Sequence, residues 1–302
     1  MARWLVTGAT GCVGRAVVAA ALGAGHEVRG LARGGAPRGW PHEADVVAAS
    51  VEDEAAVARA TEGVDVVVHL ASWVHQPLRG AGDERELRRS IVDGTRHVAA
   101  TARAVGARLI AASSIAALDD TPYGRAKHDA ETVVADLDPR AVSLRIALVY
   151  GPHDRGNVAT LIRHTAAGHA VVVGRGENRK SMVAADNLAD RVLLLGARDV
   201  AGVYVAADGA PTQAELLGAI AAALGRRPPP RIPRGLAGAA GRALDGALQL
   251  LGRPAVWADR VGKLARSTVH DGSPLDTRLG YRPRLSFDDG IARAVAWVRE
   301  HG

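Results

Sequence analysis

The sequence predicts an α/β protein, a doubly wound parallel sheet carrying a smaller C-terminal lobe. Three observations point there. Short runs rich in valine alternate with helix-length segments over the first 150 residues. A glycine-rich turn joins the first run to the first helix, and 302 residues leave room for one large unit plus a companion.

Each element follows from its pattern. RWLVTG (3–8) reads as a buried strand ending in glycine, and GRAVVAAALGAG as a small-residue helix. EVRGLA (27–32) is the second strand, ADVVAA (44–49) the third and DVVVHLAS (65–72) the fourth, with the helix EDEAAVARAT between the last two. A long helix is expected through ERELRRSIVDGTRHVAATARAVG, then ARLIAASS as strand five, PYGRAKHDAETVVADL as a helix and AVSLRIALVYG as strand six. Strands that alternate with helices this way lie parallel, covered on both faces. After Gly151–Pro152 the pattern loosens: a helix in VATLIRHTAAG, a strand in HAVVVG, an exposed turn in RGENRKS, a strand at 202–207, a rigid connector in RRPPPRIP and a closing helix. Residues 1–150 are therefore expected to bind a dinucleotide, with 181–207 returning to that unit. Residues 151–180 and 208–302 would form the substrate lobe over the carboxyl edge of the sheet.

Composition narrows the function. The formal charge is +6, yet aromatics are 3% and the arginines are scattered, which argues against a nucleic-acid surface and fits an anionic small ligand. No apolar run approaches transmembrane length, no charged-then-apolar leader opens the chain, and a single cysteine, Cys12, suits a reducing cytoplasm. The eleven histidines are not paired at ligand spacing with cysteine or carboxylate, so no metal is expected.

Two motifs carry chemistry. In TGATGCVG, Gly8 permits a tight turn, Gly11 lets a diphosphate approach the backbone, and Gly14 packs helix on strand; the helix N-terminus then faces the anion. This is the signature of a Rossmann-type dinucleotide site. No acidic residue stands near Ala32 to hold a ribose, while Arg33 follows directly and could pair with a 2′-phosphate, which favours NADP over NAD. In TPYGRAK, Tyr123 stands four before Lys127, a spacing expected by chance about 0.04 times with four tyrosines and three lysines. Thr121 caps the helix, Pro122 suits its first turn, and Tyr123 and Lys127 share a face. The helix N-terminus, the ammonium and an oxidised nicotinamide are expected to favour phenolate and draw the tyrosine's pKa from about 10 toward neutrality, making an acid/base for carbonyl–alcohol chemistry. Ser114, at the carboxyl end of strand five, can bond the same substrate oxygen.

TGATGCVG, DVVVHLAS, SSIAAL, YGRAK and LRIALVYGP occur in the order of an extended short-chain dehydrogenase/reductase, and LGYRPRLSFDDGIARAVAWV resembles that family's closing segment. HLASWVH and YGPHDRGNVATLIRHTAAGHAVVVGRGENRKSMVAADNL resemble the branch of nucleotide-sugar 4-epimerases and 4-ketoreductases. The resemblance implies Ser114, Tyr123 and Lys127 as the catalytic triad, and Cys12 and Val13 as backbone donors to the diphosphate. Leu70, Ala71 and Ser72 would line the ribose, with Val51 and Ile146 also against the cofactor. On the substrate side it implies Asn157, with Arg179 and Lys180 gripping a diphosphate, while Trp73 and His75 follow strand four toward the mouth. Departures are Ile91, where an asparagine is usual, Ser50, where an adenine-binding acid is usual, and a loop of eight residues between Ser114 and Tyr123, in which Asp119 and Asp120 could replace the usual acid. The expectation is an NADP(H)-preferring oxidoreductase acting on a secondary alcohol or ketone at C4 of a nucleotide sugar, a homodimer without nucleic-acid or membrane partners. The alternatives are a 4-epimerase, a ketoreductase of a non-sugar substrate, or a non-catalytic NADP-binding regulator.

Overall fold

The computed structural model describes residues 1–72, 81–250 and 266–301; Trp73 and His75 lie outside the described residues. In chain order the strands are β1 (Arg3–Thr7), β2 (Glu27–Ala32), β3 (Ala44–Ala48), β4 (Val66–His69), β5 (Arg108–Ser114), β6 (Val142–Ile146), β7 (Leu148–Tyr150), β8 (Val172–Val173), β9 (Met182–Ala184), β10 (Gly202–Ala206) and β11 (Arg231–Ile232). The helices are α1 (Cys12–Gly23), α2 (Glu54–Thr61), α3 (Ala81–Arg88), α4 (Gly94–Ala104), α5 (Pro122–Leu137), α6 (Asn157–Ala166), α7 (Ala185–Gly196), α8 (Gln213–Ala223) and α9 (Arg234–Leu250), with further helices at Ser273–Leu279 and Phe287–His301.

Seven strands form one parallel sheet in the order β10-β6-β5-β4-β1-β2-β3. The alternation of side chains along a strand explains its two covered faces. Trp4 and Val6 face a core shared with Val17 of α1 and Leu188 of α7, while Leu5 between them faces Val57 of α2 and Val98 of α4. Burying each such side chain contributes roughly 1.5–3 kcal/mol. The switch in strand order between β1 and β4 opens a crevice at the carboxyl ends of these strands, and the glycine turn enters it.

Three elements differ from their sequence reading. The sixth strand breaks at Ala147: its N–H turns to Ala206 O of β10, while Leu148 N–H turns to Ser181 O, so β7 pairs with β9 in a separate two-stranded sheet. The long helix carries a π turn over Arg89–Asp93 between α3 and α4. The strand read over 169–174 shrinks to Val172–Val173, which pairs with Arg231–Ile232 inside the proline-rich connector.

The chain beyond Gly151 builds a second core from α6, α8 and the helix Phe287–His301, where Tyr150, Ile162, Ile220, Ile291 and Val295 meet. A capping box between Thr212 and Glu215 starts α8. Arg191 of α7, fully buried, ties this part to the sheet side: it donates to Asp208 at 2.7 Å and to both oxygens of Asp276 at 2.7 and 2.9 Å.

Candidate active site

The glycine turn is shaped by backbone against backbone. Gly8 has φ +66°, and a Cβ there would lie 2.8 Å from Ala71 N. A Cβ on Gly14 would lie 2.3 Å from Gly8 O and 2.7 Å from Ala9, so neither position admits a side chain. Gly11 is different: a Cβ would meet only Gly8 O, at 3.4 Å, an ordinary contact. The protein's own packing does not demand a glycine at 11, which leaves an external group approaching that backbone as the reason for it. Gly11 is the N-cap of α1, no side chain caps the helix, and no acidic residue stands in the first turn formed by Cys12 and Val13. Free amides at an uncapped helix start suit a diphosphate. Cys12 itself is unreactive: burial, then Asp154 and Asp186, push its thiol up to about 12.

Leu70, Ala71 and Ser72 leave β4 beside this turn and are held by a hydrogen-bond chain whose direction can be followed. Ala71 N–H donates to Thr7 Oγ1 (3.2 Å), so the Thr7 hydroxyl proton goes to His69 Nδ1 (2.8 Å). His69 must then carry its proton on Nε2, facing Thr95 Oγ1 at 3.1 Å, and Thr95 donates to Ile91 O in the π turn. His69 is buried and its pKa falls to about 3, through burial first and the charge of Lys127 second, so the ring is neutral. Val51 is buried 2.8 Å from where a Cβ on Gly94 would stand, and Ile146 pairs in register with Ser114. Arg33 is exposed at the end of β2 and, among the described residues, makes no hydrogen bond or ion pair. Ser72 Oγ is buried without a well-formed hydrogen bond. An orphaned hydroxyl, an open Gly11 and uncapped amides together fit a dinucleotide in the crevice.

Catalysis would centre on the start of α5. Thr121 caps it by accepting from Gly124 N–H at 3.0 Å, with Pro122 in the first turn. Gly124 allows the turn Ile115–Leu118 to press on the helix: a Cβ there would lie 2.2 Å from Asp119 O and 2.3 Å from Ala116 O. This contact holds Ser114 against Tyr123. Ser114 Oγ accepts from Ala116 N–H at 3.2 Å, which leaves its hydroxyl proton to donate. In the free protein the pKa of Tyr123 is not drawn down toward neutral pH. Burial raises its pKa and outweighs the lowering from the neighbouring hydroxyls of Ser114 and Ser72. Lys127, one turn on and buried, donates to Ala112 O at 3.0 Å; burial lowers its pKa to about 8 against the pull of Glu131.

The two cations read as a pair at the mouth separate. Arg179 turns to Ala210 O (2.9 Å) at the start of α8. Lys180 donates to Thr268 Oγ1 at 3.0 Å, and its pKa is lowered by burial, then by Arg266, while Asp119 raises it. Lys180 thus lies within electrostatic reach of Arg266 and of Asp119 in the loop that follows Ser114. Asn157 is exposed at the first position of α6. Glu131, Arg145 and Arg266 were absent from the sequence reading; only Glu131 left a signal, four residues beyond Lys127. Among the described residues no three His, Cys, Asp or Glu side chains gather as a metal site, and no helix is long and apolar enough to cross a membrane.

The NAD dependent epimerase/dehydratase family matches residues 4–207. This chain belongs to that family. It is 29% identical to a ceramide reductase of Caulobacter vibrioides over 98% of this chain and 94% of that protein. It is 27% identical to a 2-alkyl-3-oxoalkanoate reductase of Stenotrophomonas maltophilia over 97% and 98%. A dTDP-4-dehydrorhamnose reductase of Streptomyces griseus is 32% identical over 66% of this chain and 67% of its own. The chain spans 24% of the length of the mycobacterial relatives that it matches at 35% identity. Among solved structures, the UDP-glucose 4-epimerase of Thermus thermophilus in complex with NAD superposes with a TM-score of 0.74 at 23% identity, covering 99% of this chain and 100% of that one, a likeness of fold.

Proposed function

We propose that this family member is an NADP(H)-preferring ketone reductase, and that Tyr123 is its acid. The observation that carries the proposal is the arrangement at α5: Tyr123 beside the Ser114 hydroxyl, whose proton is free to donate, and Lys127 one turn on along the same face. A buried phenol whose pKa lies above its ordinary value holds its proton at neutral pH, which is what reduction of a carbonyl requires of its donor. A dinucleotide would be held by Gly8, Gly11, Cys12, Val13, Gly14, Leu70, Ala71 and Ser72, with Arg33 available to a 2′-phosphate, and would supply the hydride. Ser114 donates its free hydroxyl proton to the substrate carbonyl and orients it. As charge develops on that oxygen, Tyr123 gives up its proton to form the alcohol, and the Lys127 ammonium on the same helical face stabilises the phenolate left behind. The positive charge of Lys180, with Arg266 within its electrostatic reach, would select for an anionic ketone.

We assign as substrate a nucleotide sugar with a ketone at C4, its diphosphate toward Lys180 and Arg266; the likeness to a dTDP-4-dehydrorhamnose reductase supports this. A second reading, a lipid or 3-oxo acid ketone, is favoured by the two relatives that align end to end. Tyr123→Phe should cut turnover by about 10²-fold or more while NADPH binding, followed by fluorescence, is unchanged; retained turnover would remove Tyr123 from the mechanism. Thymidine and uridine diphosphate at millimolar concentration should raise the melting temperature, and Lys180→Ala should abolish the rise. If neither diphosphate shifts it and a 3-oxo acid is reduced, the second reading stands.

A further inference from the structure

Beneath the active site lies a buried charged cluster to which the reaction itself assigns nothing. Tyr123, Lys127 and Glu131 follow one another at intervals of four on the inner face of α5. Glu131 is 6% exposed and its carboxylate is fully engaged: Oε1 accepts from Ser113 Oγ at 2.5 Å and from Arg145 Nε at 2.9 Å, and Oε2 accepts from Arg145 Nη2 at 2.6 Å. Arg145 reaches it from β6, directly opposite Ser113 in the register with β5.

A buried carboxylate needs only one good bidentate partner, and Arg145 is that partner. Glu131 nevertheless stands where its charge also reaches Lys127, one turn away. We propose that Glu131 is a positioning residue that keeps Lys127 in its ammonium form, and that Arg145 sets how much of the carboxylate's charge is left for that task. Among the described residues Lys127 has no acidic partner in direct contact, and its one hydrogen bond is to the carbonyl of Ala112. The charged and titratable groups that bear on it are Tyr123 and Glu131 from α5, the neutral imidazole of His69 from β4, and Arg145 on β6 acting through Glu131. His69 is committed at both nitrogens and offers Lys127 no negative charge. Arg145 adds positive charge. Glu131 is therefore the only one of these groups that stabilises the ammonium. The consequence for the reaction is that a phenolate on Tyr123 meets a cation and not a neutral amine. The inference rests on the proposed function only in the use it gives Lys127; the protonation of Lys127 is a property of the free protein.

The test reads that protonation without turnover. Lysine-selective ¹⁵N labelling gives three ammonium signals, since the chain has Lys127, Lys180 and Lys263, and Lys127→Arg identifies the one that is lost. In the wild type the Lys127 signal should titrate with a midpoint near the value of about 8 set by its burial. Glu131→Gln keeps the shape and the contact with Ser113 but removes the charge, and the midpoint should fall by a unit or more, about a tenfold change in proton affinity. Arg145→Met frees the carboxylate from its partner, so the midpoint should move up. Opposite signs from two substitutions in one cluster are not what a merely structural role yields. A Glu131→Gln midpoint within 0.3 of wild type would overturn the proposal. Should Glu131→Gln not fold, Glu131→Asp decides: a carboxylate drawn back by one methylene should lower the midpoint, and an unchanged midpoint overturns the assignment. Loss of activity in Tyr123→Phe with no change in the Lys127 titration would separate this inference from the reductase reading.

Discussion

The glycine turn and the region around Arg191 both hold parts of the molecule in fixed relation, and they do so by opposite means. In the turn, backbone lies on backbone: Gly14 has Gly8 O and Ala9 where a side chain would be. Around Arg191, parts of the chain far apart in sequence are joined by charge, with Asp276 meeting the guanidinium across 85 residues. The first arrangement tolerates no added atom; the second tolerates no lost charge. Substitutions should therefore fail in different ways at the two sites.

The largest effect is expected at Arg191. Arg191→Leu leaves Asp208 and Asp276 facing each other without their cation, which should cost about 3–5 kcal/mol by denaturant unfolding. A loss below about 1 kcal/mol would mean that these carboxylates find water, and that the joint is held by packing. Next comes the turn. Gly14→Ala should cost about 1–3 kcal/mol through overpacking, whereas Gly11→Ala should leave stability within about 0.5 kcal/mol and weaken dinucleotide binding. Equal destabilisation by both would show that Gly11, too, is a packing residue. The smallest effect is expected at Arg33, which touches nothing. Arg33→Ala should leave the melting temperature unchanged and weaken NADPH binding by roughly tenfold with NADH unaffected, the loss of one charge-assisted contact to a phosphate. Equal loss for the two cofactors would place the preference elsewhere.

The same contrast explains what could be read from the chain. Gly8 and Gly14 were legible because no other residue meets the steric demand, and the notice is local: three glycines within seven residues. Tyr123 and Lys127 were legible because one helical turn fixes their spacing. The split of the sixth strand at Ala147 was not, since it depends on Ala206 and Ser181 arriving from later in the chain. The π turn at Arg89–Asp93 left no sign in an otherwise helical run. At the mouth, adjacency in sequence suggested that Arg179 and Lys180 act together. Antiparallel pairing of Arg179 with Thr212, and parallel pairing of Lys180 with Thr268, sends the two side chains to different neighbours. Burial was the term missing for Tyr123. Charges near the phenol were visible in the sequence, but its enclosure, which outweighs the hydroxyls of Ser114 and Ser72, was not.

The chain from Ala71 through Thr7, His69 and Thr95 to Ile91 begins at a peptide N–H and ends at a peptide carbonyl, neither of which exchanges its partner readily. Every hydroxyl and imidazole proton along it points the same way, and none is spare. Such a row cannot conduct: a proton entering at one end would find no site able to pass one out at the other. The His69 imidazole is thus insulated from proton movements in the crevice. If Tyr123 works as proposed, the proton it gives up returns by some route other than this row.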